Sequence, residues 1–304
     1  MTRAAFLGTP TEAIPALHAL AGMTEIVLVI TQPDRPRGRS GTPQPPPVRE
    51  AALDLRLRVA QPASKEALVD ALTEAAPLEV AVLVAFGMLI PADALQIPER
   101  GILNVHLSIL PRWRGAAPVA RAILAGDSVS GVTIIRMDEG LDTGPVVAAR
   151  ESEIGRSDTA GTLAARLAAT GAQLLTEILA DYMAGELEPI PQSGKATYAE
   201  KLDRAEARLE LAGSASAIWR AVRAFNPRPG AFAHWRGEPL KLWVVELGPD
   251  KELAPGELRI EESRLIVGTG EGTLELVEVQ PAGGRRMTGT DWARGRRGPL
   301  GSLE

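Results

Sequence analysis

Asn104 and His106 stand two residues apart at the end of the apolar run Ile102-Leu103-Asn104-Val105-His106. Alternate residues of a strand point to the same face, so an amide donor and an imidazole converge there. In open α/β sheets the carboxyl ends of the strands are where ligands bind, and the pair is expected at such an end, facing solvent and ligand. Taken alone, Asn-x-His reads first as a structural histidine beside a turn-forming asparagine. A second polar segment, Asp138-Glu139-Gly140-Leu141-Asp142-Thr143-Gly144-Pro145, follows the apolar run Val132 to Met137. Its carboxylates could supply a base, a metal site or merely a turn. The scattered His18, His106 and Asp142 lack metal-ligand spacing, and no metal is expected. An aspartate brought beside His106 would fix the tautomer of the imidazole.

Residues of this kind need a scaffold, and the chain has the length for one. Its 304 residues, 45% of them hydrophobic, suit one large domain or two ordinary ones. With no cysteine there is neither disulfide framework nor thiolate chemistry. The apolar start Ala4 to Leu7 is too short for a signal peptide, and no later run has the length of a membrane span; a cytoplasmic monomer is expected. A net charge of −5 argues against a protein coated in nucleic acid, leaving RNA contact to local basic patches.

Apolar runs at Ala4 to Leu7, Ile26 to Ile30, Val80 to Phe86, Ile102 to Val105 and Val132 to Met137 alternate with helical spacing such as Ile14, Leu17 and Leu20. Strands so apolar imply a Rossmann-like, mostly parallel sheet covered on both faces. Leu163, Leu167, Leu174, Ile178 and Tyr182 mark a long amphipathic helix over 159–183. Glu188 to Lys195, rich in Pro and Gly, reads as a linker, and Glu200 to Leu211 as charged and helical or crossing. Beyond Gly230, short β-type runs (Phe232 to Trp235, Leu240 to Val245, Leu265 to Val267, Thr273 to Val279) between Gly and Pro turns predict a small antiparallel, OB-like β-barrel. The expected division is a catalytic domain over 1–189, a linker over 190–205 and a C-terminal barrel over 206–304.

The run Asn104-Val105-His106-Leu107-Ser108-Ile109-Leu110-Pro111, with Gly140-Leu141-Asp142-Thr143-Gly144, resembles the signature of the folate-dependent formyltransferases. The continuation Arg112-Trp113-Arg114-Gly115-Ala116-Ala117-Pro118 resembles the methionyl-tRNA branch in particular. Thr31 to Pro36, Thr197 to Leu202, Ala224 to Pro227 and Gln280 to Gly283 extend the likeness over nearly the whole chain. Ile109 replaces a leucine, and Leu107 stands where a smaller residue is common.

This resemblance implies formyl transfer from 10-formyltetrahydrofolate to the α-amine of methionyl initiator tRNA. The charge developing on the formyl oxygen needs preorganised donors, one of which is worth about 3 kcal/mol; Asn104 and His106 fill that role. Asp142 arranges proton movement with His106 and a water, a function worth about 10²–10⁴-fold. His106 as proton shuttle and His106 as cationic oxyanion partner both stay open. Ser108, Ile109, Leu110 and Pro111 are expected against the folate, with Phe86, Gly87, Met88, Leu89 and Ile90 as a wall for the pteridine. Arg35, Arg37 and Arg39, in the polar loop Gln32 to Pro47, are expected to engage the tRNA acceptor arm. Arg39 matches the family's key arginine, while Ser40-Gly41-Thr42 replaces the lysines that often follow it. Arg285 and Arg286 open the densest basic cluster of the C-terminal part, for which a solvated face is the alternative reading. Gly8-Thr9-Pro10 is not a dinucleotide fingerprint, which counts against a nicotinamide enzyme. A formyltransferase for a small amine and an RNA-binding protein on an inactive formyltransferase fold are the other readings. The first lacks this continuation after His106, and the second has no use for Asn104, His106 and Asp142 together.

Overall fold

The computed structural model describes residues 1–36 and 41–304; the expected tRNA contacts Arg37 and Arg39 lie outside them. Its strands, in chain order, are β1 (Arg3–Gly8), β2 (Glu25–Ile30), β3 (Arg35–Pro36), β4 (Pro43–Gln44), β5 (Val59–Ala60), β6 (Val80–Val84), β7 (Ile102–His106), β8 (Arg114–Gly115), β9 (Val129–Arg136), β10 (Val146–Glu153) and β11 (Tyr198–Ala199). They continue as β12 (Phe232–Trp235), β13 (Glu238–Leu247), β14 (Leu258–Glu261), β15 (Arg264–Gly268), β16 (Thr273–Pro281) and β17 (Met287–Thr288). The chain divides into two compact units. One comprises Met1–Pro118, Val129–Glu153 and Ala164–Ala199, the other Val119–Ser128, Ile154–Leu163 and Glu200–Glu304.

The first unit is built on a seven-stranded sheet of order β10-β9-β7-β6-β1-β2-β5. From β5 to β7 every pairing is parallel. The all-buried sequence Val80-Ala81-Val82-Leu83-Val84 shows why: a central strand covered on both faces has no polar side to present. Strands β9 and β10 reverse the sense, β9 pairing antiparallel with both β7 and β10. Over β7 and β9 lies the helix Ala160–Ala184, within a residue of its expected span. Its Gly171 lets the helix approach closely, because a Cβ there would fall 2.6 Å from Cγ1 of Val105 and 3.3 Å from Cγ1 of Val132. Val105 therefore faces the helix, and alternation sends Asn104 and His106 to the opposite face.

The second unit carries an antiparallel sheet of order β12-β13-β16-β15-β14, with β17 on β16, curled as a half-barrel. Its buried side holds Leu240, Leu242, Val267, Leu274, Leu276 and Val279, and the helix Ala215–Ala224 adds Ile218 and Val222 to the same core. Ser214 starts that helix by accepting from the amide of Ala217. The expected helical character of 200–211 is confined to a 3₁₀ turn at Ala205–Ala207. Asp203 and Glu206 set where that turn begins: Asp203 Oδ1 accepts from Ala205 N at 3.0 Å and Glu206 Oε1 from Asp203 N at 2.8 Å, the reciprocal bonds of a capping box.

Candidate active site

At the end of β7, opposite Thr133 of β9, Asn104 and His106 meet the loop that follows β9. The Asp142 carboxylate organises the group. Its Oδ1 accepts from Asn104 Nδ2 at 3.0 Å, its Oδ2 accepts from the Gly115 amide at 2.7 Å, and the same Oδ2 lies 3.7 Å from His106 Nδ1. Asp142 occupies the left-handed region at φ 52°, which non-glycine residues adopt mainly where the surroundings hold them. One Nδ2 hydrogen of Asn104 is committed to Asp142, leaving the amide a second one.

His106 Nε2 sits 2.9 Å from the carbonyl of Trp113. A carbonyl only accepts, so Nε2 carries the proton and Nδ1 is turned toward the carboxylate. Trp113 is itself left-handed at φ 65°. Contrary to the expectation of side chains facing solvent, Asn104 and His106 are 6% and 7% exposed. The reason is the segment after β7, whose backbone at Trp113 and Gly115 closes over them and hydrogen-bonds to both His106 and Asp142.

That covering segment is fixed from two sides. The Ser108 hydroxyl donates to the Arg112 carbonyl at 2.7 Å, around a cis Leu110-Pro111 bond. Thr133 Oγ1 donates to the Ser108 carbonyl at 2.7 Å and accepts from the Leu110 amide at 3.0 Å. Further on, β8 pairs in parallel with β11, and the Trp113 amide donates to Thr197 Oγ1 at 2.9 Å. Gly115, at φ 117°, is required there, since a Cβ would lie 2.8 Å from the Ala199 carbonyl oxygen. Among the expected folate contacts, Ser108 and Leu110 are buried. Ile109 turns toward β9, where a Cβ on Gly131 would fall 2.4 Å from its Cδ1.

The wall expected after β6 divides into core and surface. Phe86 is 1% exposed within the first unit's core, and its carbonyl accepts from Thr9 Oγ1 at 2.7 Å. Met88 and Ile90 pack partly against the same core, whereas Leu89 is 65% exposed. An exposed leucine beside half-buried apolar neighbours, at the carboxyl end of a parallel strand next to β7, suits the flat face of a heterocycle. Arg35 lies exposed in β3, which pairs antiparallel with β4, and donates to Gln32 Oε1 at 3.1 Å. In the second unit Arg285 and Arg286 are exposed; the Arg286 guanidinium stacks 3.7 Å over the Trp243 ring and lies 3.7 Å from Glu278. Gln192, in the stretch read as a linker, donates from Nε2 to the carbonyls of Asp142 and Gly144, at 2.8 Å each. A single glutamine among prolines and glycines carries no sequence signal for that contact.

Comparison with known proteins shows the family. The model of the formyl transferase family matches residues 3–179, and that of the formyl transferase C-terminal domain matches residues 201–297. A methionyl-tRNA formyltransferase of Thermus thermophilus is 46% identical over 297 residues, 96% of each chain. One from Chromobacterium violaceum is 44% identical, covering 98% of this chain and 97% of the other. Among solved structures, the N-formyltransferase from Helicobacter canadensis in complex with folinic acid and dTDP-3-aminofucose has a TM-score of 0.69 at 17% identity, over 91% of this chain and 99% of that one. HypX from Aquifex aeolicus in complex with tetrahydrofolic acid has a TM-score of 0.64 at 15% identity, over 95% of this chain and 46% of that one. At those identities the structures attest the fold, while the sequence relatives place the chain within a branch: it belongs to the formyl transferase family, among the methionyl-tRNA formyltransferases.

Proposed function

We propose that the chain moves a formyl group from 10-formyltetrahydrofolate to the α-amine of methionyl initiator tRNA, with Asn104, His106 and Asp142 as its catalytic residues. The observation that carries the assignment is one carboxylate, Asp142, held between Asn104 Nδ2, the Gly115 amide and His106 Nδ1. The folate donor supplies an activated formyl carbon when bound. Asn104 offers its second amide hydrogen to the formyl oxygen as negative charge gathers there, a preorganised donor that needs no reorientation. His106 Nε2–H, released from the Trp113 carbonyl, is the second donor within the group. The attacking amine gives up a proton while the departing nitrogen takes one, an exchange that Asp142 arranges with His106 and a water. Ser108 to Pro111 shape the floor beside it through their backbone, and Met88, Leu89 and Ile90 supply the apolar wall.

In this reading residues 1–189 bind folate and perform the chemistry, 190–205 connect, and 206–304 contribute tRNA affinity through Arg285 and Arg286, with Arg35, Arg37 and Arg39 toward the acceptor arm. The enzyme works in the cytoplasm as a monomer. The test is a transfer assay with 10-formyltetrahydrofolate and three acceptors: charged initiator tRNA, free methionine and glycinamide ribonucleotide. Transfer to the charged tRNA is expected; transfer to glycinamide ribonucleotide alone would overturn the assignment.

A further inference from the structure

The chain beyond Gly185 runs back along the active-site loop. Ile190 and Val146 exchange backbone hydrogen bonds at 2.7 and 2.8 Å, an antiparallel bridge. Two residues on, in the opposite sense of the partner, antiparallel pairing sets Gln192 against Gly144. There the Gln192 side chain is saturated. Its Nε2 donates to the carbonyls of Asp142 and Gly144, at 2.8 Å each, and its Oε1 accepts from Arg114 Nε at 3.2 Å and Nη2 at 2.7 Å. These partners fix which way the amide points, because Arg114 only donates and the carbonyls only accept. Arg114 lies between Trp113, whose carbonyl meets His106, and Gly115, whose amide meets Asp142. One side chain therefore ties the loop bearing Asp142 to the segment covering His106.

We infer that Gln192 is a positioning residue for formyl transfer, holding Asp142 in its left-handed backbone conformation and in register with Gly115 and His106. The inference rests on Asp142 being catalytic. No other residue type replaces the clamp. Glutamate keeps acceptors for Arg114 but turns a carboxylate oxygen toward two carbonyls, and asparagine is shorter by a methylene. Alanine removes all four bonds. The loss then falls on geometry at the reacting centre, where a displacement of about 1 Å can cost about 10²-fold.

The experiment is a double-mutant cycle on the full-length enzyme, with kcat, both KM values and the thermal melt recorded for Gln192→Ala, Gln192→Glu, Asp142→Asn and the doubles. Each Gln192 variant is expected to lower kcat by about 10- to 100-fold with both KM values little changed. In the Asp142→Asn background the further loss should shrink to within about twofold, since residues acting as a unit are non-additive. Gln192→Glu retains the Arg114 contact, so it carries the cycle should Gln192→Ala fail to fold. Full activity in folded Gln192→Glu, or losses that multiply in the double variant, would overturn the positioning role. An Asp142→Asn enzyme as active as the parent would instead remove the catalytic assignment beneath it.

Discussion

Asp142→Asn is the sharpest perturbation of the site because it changes charge without changing shape, and asparagine tolerates the left-handed backbone at φ 52°. The carboxylate presents an acceptor to each of two donors, Asn104 Nδ2 at 3.0 Å and the Gly115 amide at 2.7 Å. A carboxamide presents one acceptor and one donor. The Gly115 amide, fixed by β8–β11 pairing, takes the oxygen; Asn104 then faces an NH₂ group and must flip its own amide, aiming its nitrogen elsewhere. A misdirected buried donor of this kind costs about 1–3 kcal/mol. Removing the charge also withdraws attraction for a cationic imidazole at 3.7 Å, about 4 kcal/mol at an effective dielectric of about 20. Most of that is felt as the imidazole takes up charge during transfer, so kcat should fall by about 10²–10³-fold, at 1.4 kcal/mol per decade. The KM for folate should stay within a few-fold and the melt should remain cooperative, shifted by a few degrees. Steady-state transfer to charged tRNA, with parallel melts, measures both. A kcat within about fivefold of the parent enzyme would refute the role of the charge.

His106→Ala and Asn104→Ala should each reduce turnover by about 10²–10⁴-fold while folding cooperatively; variants that unfold yet retain activity in the folded fraction would make these residues structural. Arg286→Ala, and Arg39→Ala outside the described residues, should weaken binding of charged tRNA and lower its salt slope by about 0.7–0.9 for each phosphate no longer neutralised, with folate KM unaltered. An unchanged slope would return both arginines to the solvated surface. In the second unit, hydrogen bonds from Arg121 and from the Asp203 amide hold the Glu206 carboxyl below the usual glutamate range. A depressed folded value means stability present above the ordinary glutamate pKa of about 4.3 and lost as pH falls through the folded one. Denaturant melts across that acidic window should show a steeper decline for the parent than for Glu206→Gln; parallel curves would dismiss the pair.

What could be read without coordinates follows from how side chains signal their surroundings. β1, β2 and β6 are apolar on both faces, and the helix Ala160–Ala184 repeats leucines at helical spacing, so burial is written into residue type. β10 was hidden by the same logic. Its Arg150 and Glu151 lie on an alternating, half-exposed strand at the sheet's edge, next to polar loops. Asn104, His106 and Asp142 were legible as residue types and by resemblance, but not their depth, which comes from backbone at Trp113 and Gly115. Gln192 was illegible for a further reason: its partners are backbone carbonyls and one arginine, which leave no pattern in the intervening sequence.

The pairing of β8 with β11 has a consequence for the order of assembly. All seven strands of the first unit's sheet are complete by Glu153, yet the Trp113 amide finds Thr197 Oγ1 only 84 residues along the chain. Closing so long a span costs chain entropy before the four residues of β8 and β11 return anything. On a ribosome, where chains fold as they emerge, the scaffold and both halves of the Asn104–Asp142 contact exist before the stretch that clamps them. In the proposed assignment, the clamp on the catalytic residues is thus the last part of the first unit to be laid down, a short polar segment that arrives after the sheet and the helix Ala160–Ala184.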